Sequence, residues 1–138
     1  MLATVPIPPR SLWLRLSGLI PAAVVAAPIV LAVTRDAALL GSARVQLWAV
    51  AFLVFLVSHV AALSARANVL PTVRLVALVI IQSIAALAVN AIIPTPFAGV
   101  SLGGILLVVV AAQLPSLLTT TAAGAWIATQ TLALGAIY

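Results

Sequence analysis

Apolar residues fill this chain in five long blocks, and polar or turn-forming residues interrupt them at short intervals. The blocks predict helices over about 12–33, 45–63, 75–93, 100–118 and 122–138. The second and third run for 19 residues each without one Asp, Glu, Lys or Arg. A helix of that length rises about 28 Å, close to the thickness of a bilayer's hydrocarbon layer. The last block pair is more telling. From Gly103 to Tyr138 there is no charge at all, whereas a surface in water carries charge on about a quarter or more of its positions. This stretch therefore reads as two membrane helices joined by a polar turn at Thr119-Thr120-Thr121. The expected fold is all-α: a single polytopic transmembrane bundle over 1–138, with about five helices and short loops.

Prolines punctuate this pattern. Pro6, Pro8 and Pro9 forbid a helix in the arm over 1–11, because proline has no N–H and its ring fixes φ. Pro21 and Pro28 lie inside the first predicted helix and Pro115 in the last turn of the fourth, so all three are expected kinks, their freed carbonyls taken up by neighbouring helices. Pro94-Thr95-Pro96 ends the third helix. In the first, Gly18, Ala22 and Ala26 recur every fourth residue, which suits a close helix contact or simply reflects an alanine-rich composition.

Composition agrees with the blocks: 66% of residues are hydrophobic and 5% charged, a membrane-class balance. The net charge of +5 comes entirely from arginines set one or two at a time at block ends, so it signals lipid headgroups and orientation instead of nucleic acid. Arg10, Arg15, Arg66 and Arg74 against Arg35 and Arg44, the former offset by Asp36, favour a cytoplasmic N-terminus in a multi-pass protein of the bacterial inner membrane. Trp13, Trp48 and Trp126, with Arg10, Arg15, Arg66 and Arg74, are the expected interface anchors. The first apolar run is longer than a signal-peptide core and broken by prolines, so it is expected to be retained. With no Cys there is no disulfide framework or thiolate metal site.

The polar residues inside the blocks are few. His59 is the single histidine and lies about one turn from the Arg66 end of its helix. It reads as a hydrogen-bonding group at a helix interface, as a proton-sensing group, or as a haem or metal ligand that would lack a second ligand of its kind. Ser83 and Asn90 are seven residues apart and share a helix face, with Gln82 beside them. Gln113 and the Thr129-Gln130-Thr131 cluster supply partners on later helices. Amides turned to lipid are costly, so this set is expected to face the bundle interior and bond across helices. No acid pair, Ser/His/Asp set, HExxH or GxSxG is present, so no catalytic residue, cofactor or metal is expected.

Residues 103–134, GGILLVVVAAQLPSLL followed by the Trp- and Gln-bearing AAGAWIATQTLAL, with Gln82-Ser83 opening an Ala/Leu run, resemble the membrane region of DesK-type, NarL-linked bacterial sensor histidine kinases. The resemblance implies a signal-sensing bundle that relays an envelope or lipid change to a cytoplasmic dimerising kinase. Up to Tyr138 the chain has no phosphoacceptor helix and no ATP-binding boxes. A cytoplasmic N-terminus with five crossings places Tyr138 outside, so a kinase core would need a sixth crossing beyond it. The expected function is thus the input region of a sensor histidine kinase, in a longer polypeptide or as a stand-alone relative. The alternatives are a structural or assembly subunit of a membrane complex and, less favoured, a small transporter. Expected partners are the lipid bilayer and a second copy or other membrane subunits, with no nucleic acid.

Overall fold

The computed structural model describes residues 10–67, 71–92 and 104–137, with side chains from Leu19 onward except that of Ala67. Of the expected extended arm over 1–11, residues 1–9 lie outside the described residues, while Arg10 and Ser11 are already helical because they follow the last proline of the arm; the Pro94-Thr95-Pro96 turn and the side chains of Arg10, Trp13 and Arg15 also lie outside the described residues. The chain is all-helical: α1 (Arg10–Arg35), a 3-10 turn (Ala37–Gly41), α2 (Ala43–Ala67), α3 (Thr72–Ala91), α4 (Gly104–Ala111), a second 3-10 turn (Leu114–Ser116) and α5 (Thr120–Ile137). Two helices, over Ala43–Arg66 and Thr72–Ala91, are long and apolar enough to cross a membrane. Their 24 and 20 residues rise about 36 and 30 Å.

Helices α2 and α3 form the main pair. Four residues separate Ala67 from Thr72, a link that spans about 18 Å at most, and α3 packs back beside α2. The seam on α2 is Trp48, Ala51, Phe55, Ser58/His59, Ala62 and Ala65, all buried. Their spacing of three and four residues puts them on one helix face. Ala62 on α2 and Ala86 on α3 are both 0% exposed, and small residues at such a seam let the two backbones approach closely. Around this pair α3 also touches α4 and α5, and α1 lies against α4 and α2. Ala22, Val25 and Ile29 are the buried positions of α1. Pro21 and Pro28 lie within α1 and are half-buried beside them.

The fourth helix departs from expectation. Among the described residues it is α-helical over Gly104–Ala111, and Pro115 sits in the following 3-10 turn instead of kinking a helix that continues to 118. The cause is local: a proline ring at 115 collides with the carbonyl four residues back, at Ala111, and brings no N–H to bond it. The chain tightens there through Gln113 N–H to Val110 O, 2.9 Å, and Leu117 N–H to Leu114 O, 2.9 Å. The Thr119–Thr121 turn is shorter than expected as well. Thr119 alone caps α5, its Oγ1 accepting from Ala122 N–H at 3.4 Å, while Thr120 and Thr121 are already helical.

The outer faces are apolar. Leu47, Val50, Leu53 and Val57 on α2 are 58–61% exposed, Val73 and Ile84 on α3 reach 79% and 62%, and Leu132 on α5 is 76% exposed. An apolar surface this extensive is what a partner or lipid covers in proteins that keep it.

Candidate functional site

Polar side chains converge on α3 from two sides. On one side Gln82, 0% exposed, donates from Nε2 to His59 Nδ1 at 3.0 Å and accepts on Oε1 from Gln113 Nε2 at 3.2 Å. Gln113 Nε2 also donates to Val109 O at 3.3 Å and lies 3.4 Å from His59 Nδ1. Arg66 Nη2 donates to the backbone carbonyl of Gln113 at 3.2 Å. The turn forced by Pro115 makes this possible, because it frees the Gln113 carbonyl from helical pairing and aims it toward α2. His59 is further held by the Phe55 ring, stacked at 6.1 Å with 2° between planes.

On the other side, one position along α3 and so about 100° around it, Ser83 forms a second knot. Its hydroxyl donates to Val79 O at 2.7 Å and accepts from Gln130 Nε2 at 2.8 Å and Trp126 Nε1 at 3.3 Å. That fills the one donor and both lone pairs of a serine hydroxyl. Ser83, Trp126 and Gln130 also line a groove of about 550 Å³ between α3 and α5, walled by Ile80, Ile84 and Leu87.

The expected polar set is therefore buried: His59, Gln82, Ser83, Asn90, Gln113 and Gln130 are between 0% and 6% exposed. Asn90 donates from Nδ2 to Ala86 O in its own helix at 2.7 Å. Thr129 and Thr131 do not join Gln130 as expected; both are exposed and bond the carbonyls of Ala125 and Ile127 one turn back. Of the expected tryptophan anchors, Trp48 is buried and Trp126 half-buried. Trp48 is 4% exposed and stacks on Phe52 at 5.0 Å, because position 48 falls on the α2 seam. Trp126 donates from Nε1 to Ser83 Oγ. Arg74 stays exposed, whereas Arg66 is drawn into the network. That role went unforeseen, although Arg66 is seven residues from His59 and so on the same α2 face.

The first knot is not closed. Among the described residues, three buried side-chain atoms have no hydrogen-bond partner: His59 Nε2, Arg66 Nε and Gln113 Oε1. All three belong to this one network. Orphaned buried polar atoms are few in native proteins, and each asks for a cause. Because an amide nitrogen can only donate, Gln82 fixes His59 Nδ1 as an acceptor; the neutral ring's proton then sits on Nε2.

Gln82→Leu is expected to destabilise the fold by about 1–3 kcal/mol, since it removes the shorter bond to the buried His59 Nδ1 and one acceptor of Gln113 Nε2, leaving only their longer contacts. Chemical unfolding measures this, and the loss from Gln113→Leu should shrink when Gln82 is already Leu, as partners in one bond are not additive. Compared with known protein families, curated proteins and solved structures, the chain matches none.

Proposed function

We propose that this chain is a membrane-embedded helical bundle that serves as the input region of a DesK-type sensor histidine kinase, with a cytoplasmic N-terminus in the bacterial inner membrane. One observation carries the reading: adjacent residues of α3 hold two separate polar knots. Gln82 ties α3 to α2 and to the turn after α4, and Ser83 ties it to α5. A small rotation or slide of α3 in its apolar surroundings would therefore be felt by three other elements at once. Relays of this kind need only a few kcal/mol of difference between two packings, and the handful of bonds in each knot supplies energies of that size. The apolar outer faces of α2, α3 and α5 suit lipid contact, and lipid order or thickness would act directly on them.

The test is biochemical. Membranes of the source cells are probed with an antibody to the N-terminal arm and incubated with ATP. The sensor reading expects the reactive polypeptide to exceed 14.0 kDa or to copurify with a larger subunit, and to carry acid-labile phosphate on histidine. Gln82→Leu and Ser83→Ala should each shift that phosphorylation. A 14.0 kDa species held in a stoichiometric complex without phosphohistidine would instead favour the assembly-subunit reading, in which the exposed α2 face packs on a partner.

A further inference from the structure

The groove between α3 and α5, about 550 Å³ in volume, owes its depth to unequal walls. On α3 the wall is Ile80, Ile84 and Leu87, and on α5 it is Ala122, Ala125 and Ala133, which share one helix face. Alanines there leave room that the branched side chains opposite do not fill. An apolar cleft of this size with a few polar groups is the usual form of a small-molecule site.

The polar groups of the groove define what it accepts. Ser83 is filled, its donor and both lone pairs in use. Trp126 Nε1–H is spent on that hydroxyl, and the Thr129 hydroxyl donates to the Ala125 carbonyl. Gln130 differs. It is 6% exposed and its Nε2 bonds Ser83 Oγ at 2.8 Å, while nothing among the described residues donates to its Oε1. That oxygen is not one of the sealed orphan atoms, His59 Nε2, Arg66 Nε and Gln113 Oε1, so it keeps open surface. Gln130 also borders a smaller groove of about 210 Å³ between α4 and α5. Its bond to Ser83, which lines the larger groove and not the smaller, turns the carboxamide toward α3 and the larger groove.

Charge and hydrogen bonding narrow the ligand. From Leu75 to Tyr138 the chain has no charged residue, so an ionised head would enter the groove without a counter-charge. An open carbonyl oxygen asks for a donor. A hydroxyl on an uncharged apolar body meets both conditions.

We propose that the α3/α5 groove binds a lipid alcohol, its hydroxyl donating to Gln130 Oε1 and its hydrocarbon lying along Ile84, Leu87 and Ala125. The assignment rests on the membrane reading, because such a ligand arrives from the bilayer, and it supplies that reading with a chemical input. Occupancy acts beside Ser83, the contact through which α3 holds α5.

Trp126 lines the groove and reports on it. After ¹⁵N-tryptophan labelling, its indole signal is the one lost in Trp126→Phe. The full chain, one copy per phosphatidylcholine nanodisc, is titrated with dodecanol, with dodecyl methyl ether and with dodecyl phosphate. Dodecanol should move the Trp126 Nε1 resonance saturably. The ether brings no donor and the phosphate brings charge, so each should bind about 10-fold more weakly or worse. Ala125→Leu, which adds bulk on the exposed α5 wall, should abolish the shift, and Val108→Phe, which fills the smaller groove, should leave it. Gln130→Met removes the acceptor and should erase the preference for alcohol over ether. A resonance unmoved by dodecanol overturns the proposal, as does an equal response to the ether or the phosphate. So does a shift that survives Ala125→Leu, or a preference that persists in Gln130→Met. A resonance that moves without alcohol when discs carry two chains would assign the groove to a second copy and overturn it too. Because this readout needs no phosphorylation, its failure would leave the kinase reading standing, and failure of the kinase reading would leave the binding result intact.

Discussion

Val57→Arg prevents α2 from settling in a bilayer. Val57 lies near the middle of α2 and is 61% exposed, so in water an arginine there would cost within about 0.5 kcal/mol, the usual value for a surface substitution. In the middle of a membrane helix the same guanidinium costs about 2.5–3.5 kcal/mol, which lowers the ratio of inserted to uninserted α2 about 100-fold. A glycosylation-reporter insertion assay of the segment reads that ratio. The contrast in magnitude makes the substitution diagnostic, since packing inside the bundle is untouched in either environment.

Phe55→Ala is the most damaging change in the core. Phe55 is 0% exposed and its ring stacks on His59. In water-soluble proteins truncating a buried Phe costs about 3–5 kcal/mol, part transfer and part cavity. For a helix bundle in lipid the transfer share falls away, because lipid is as apolar as the core. The dispersion contacts and the cavity remain, so a loss of about 3 kcal/mol is expected. Unfolding in mixed detergent micelles should show it, while Phe55→Leu, nearer in volume, stays below about 1.5 kcal/mol.

Why some elements were readable from sequence and others were not follows from where the physical signal lies. Helices α2 and α3 were plain because each is an uncharged run of helix-crossing length between arginines, and their bounds moved only by a few residues. The polar set was equally plain as a set to be buried, since amides and an imidazole amid so many aliphatic residues have few other favourable places. Partner choice was not legible. Gln82 and Ser83 are neighbours in sequence, yet one faces α2 and the other α5, and only packing decides which. Gln113 reaches His59 because Pro115 ends α4 at Ala111. The apolar run around Pro115 suggests a kink within a longer helix, but the clash of its ring four residues back is strong enough to stop the helix. Trp48 misled for a related reason: nearness to a helix end suggested an anchor, while its phase with Ala51 and Phe55 placed it on the seam. Charge alone marks Arg66 as an anchor, whereas its separation of seven residues from His59 places it on the same α2 face.

The central claim, that this bundle lives in a bilayer, meets its most direct test in cysteine labelling. The chain has no cysteine, so each variant carries one. Leu40 in the 3-10 turn and Leu53 on α2 have nearly equal exposure in the isolated chain, 55% and 60%. In native membranes a water-soluble maleimide should label Leu40→Cys on opened vesicles and leave Leu53→Cys untouched, because a thiol in hydrocarbon neither ionises nor meets the reagent. Equal, rapid labelling at both positions would mean that α2 faces water, and the membrane account would be wrong.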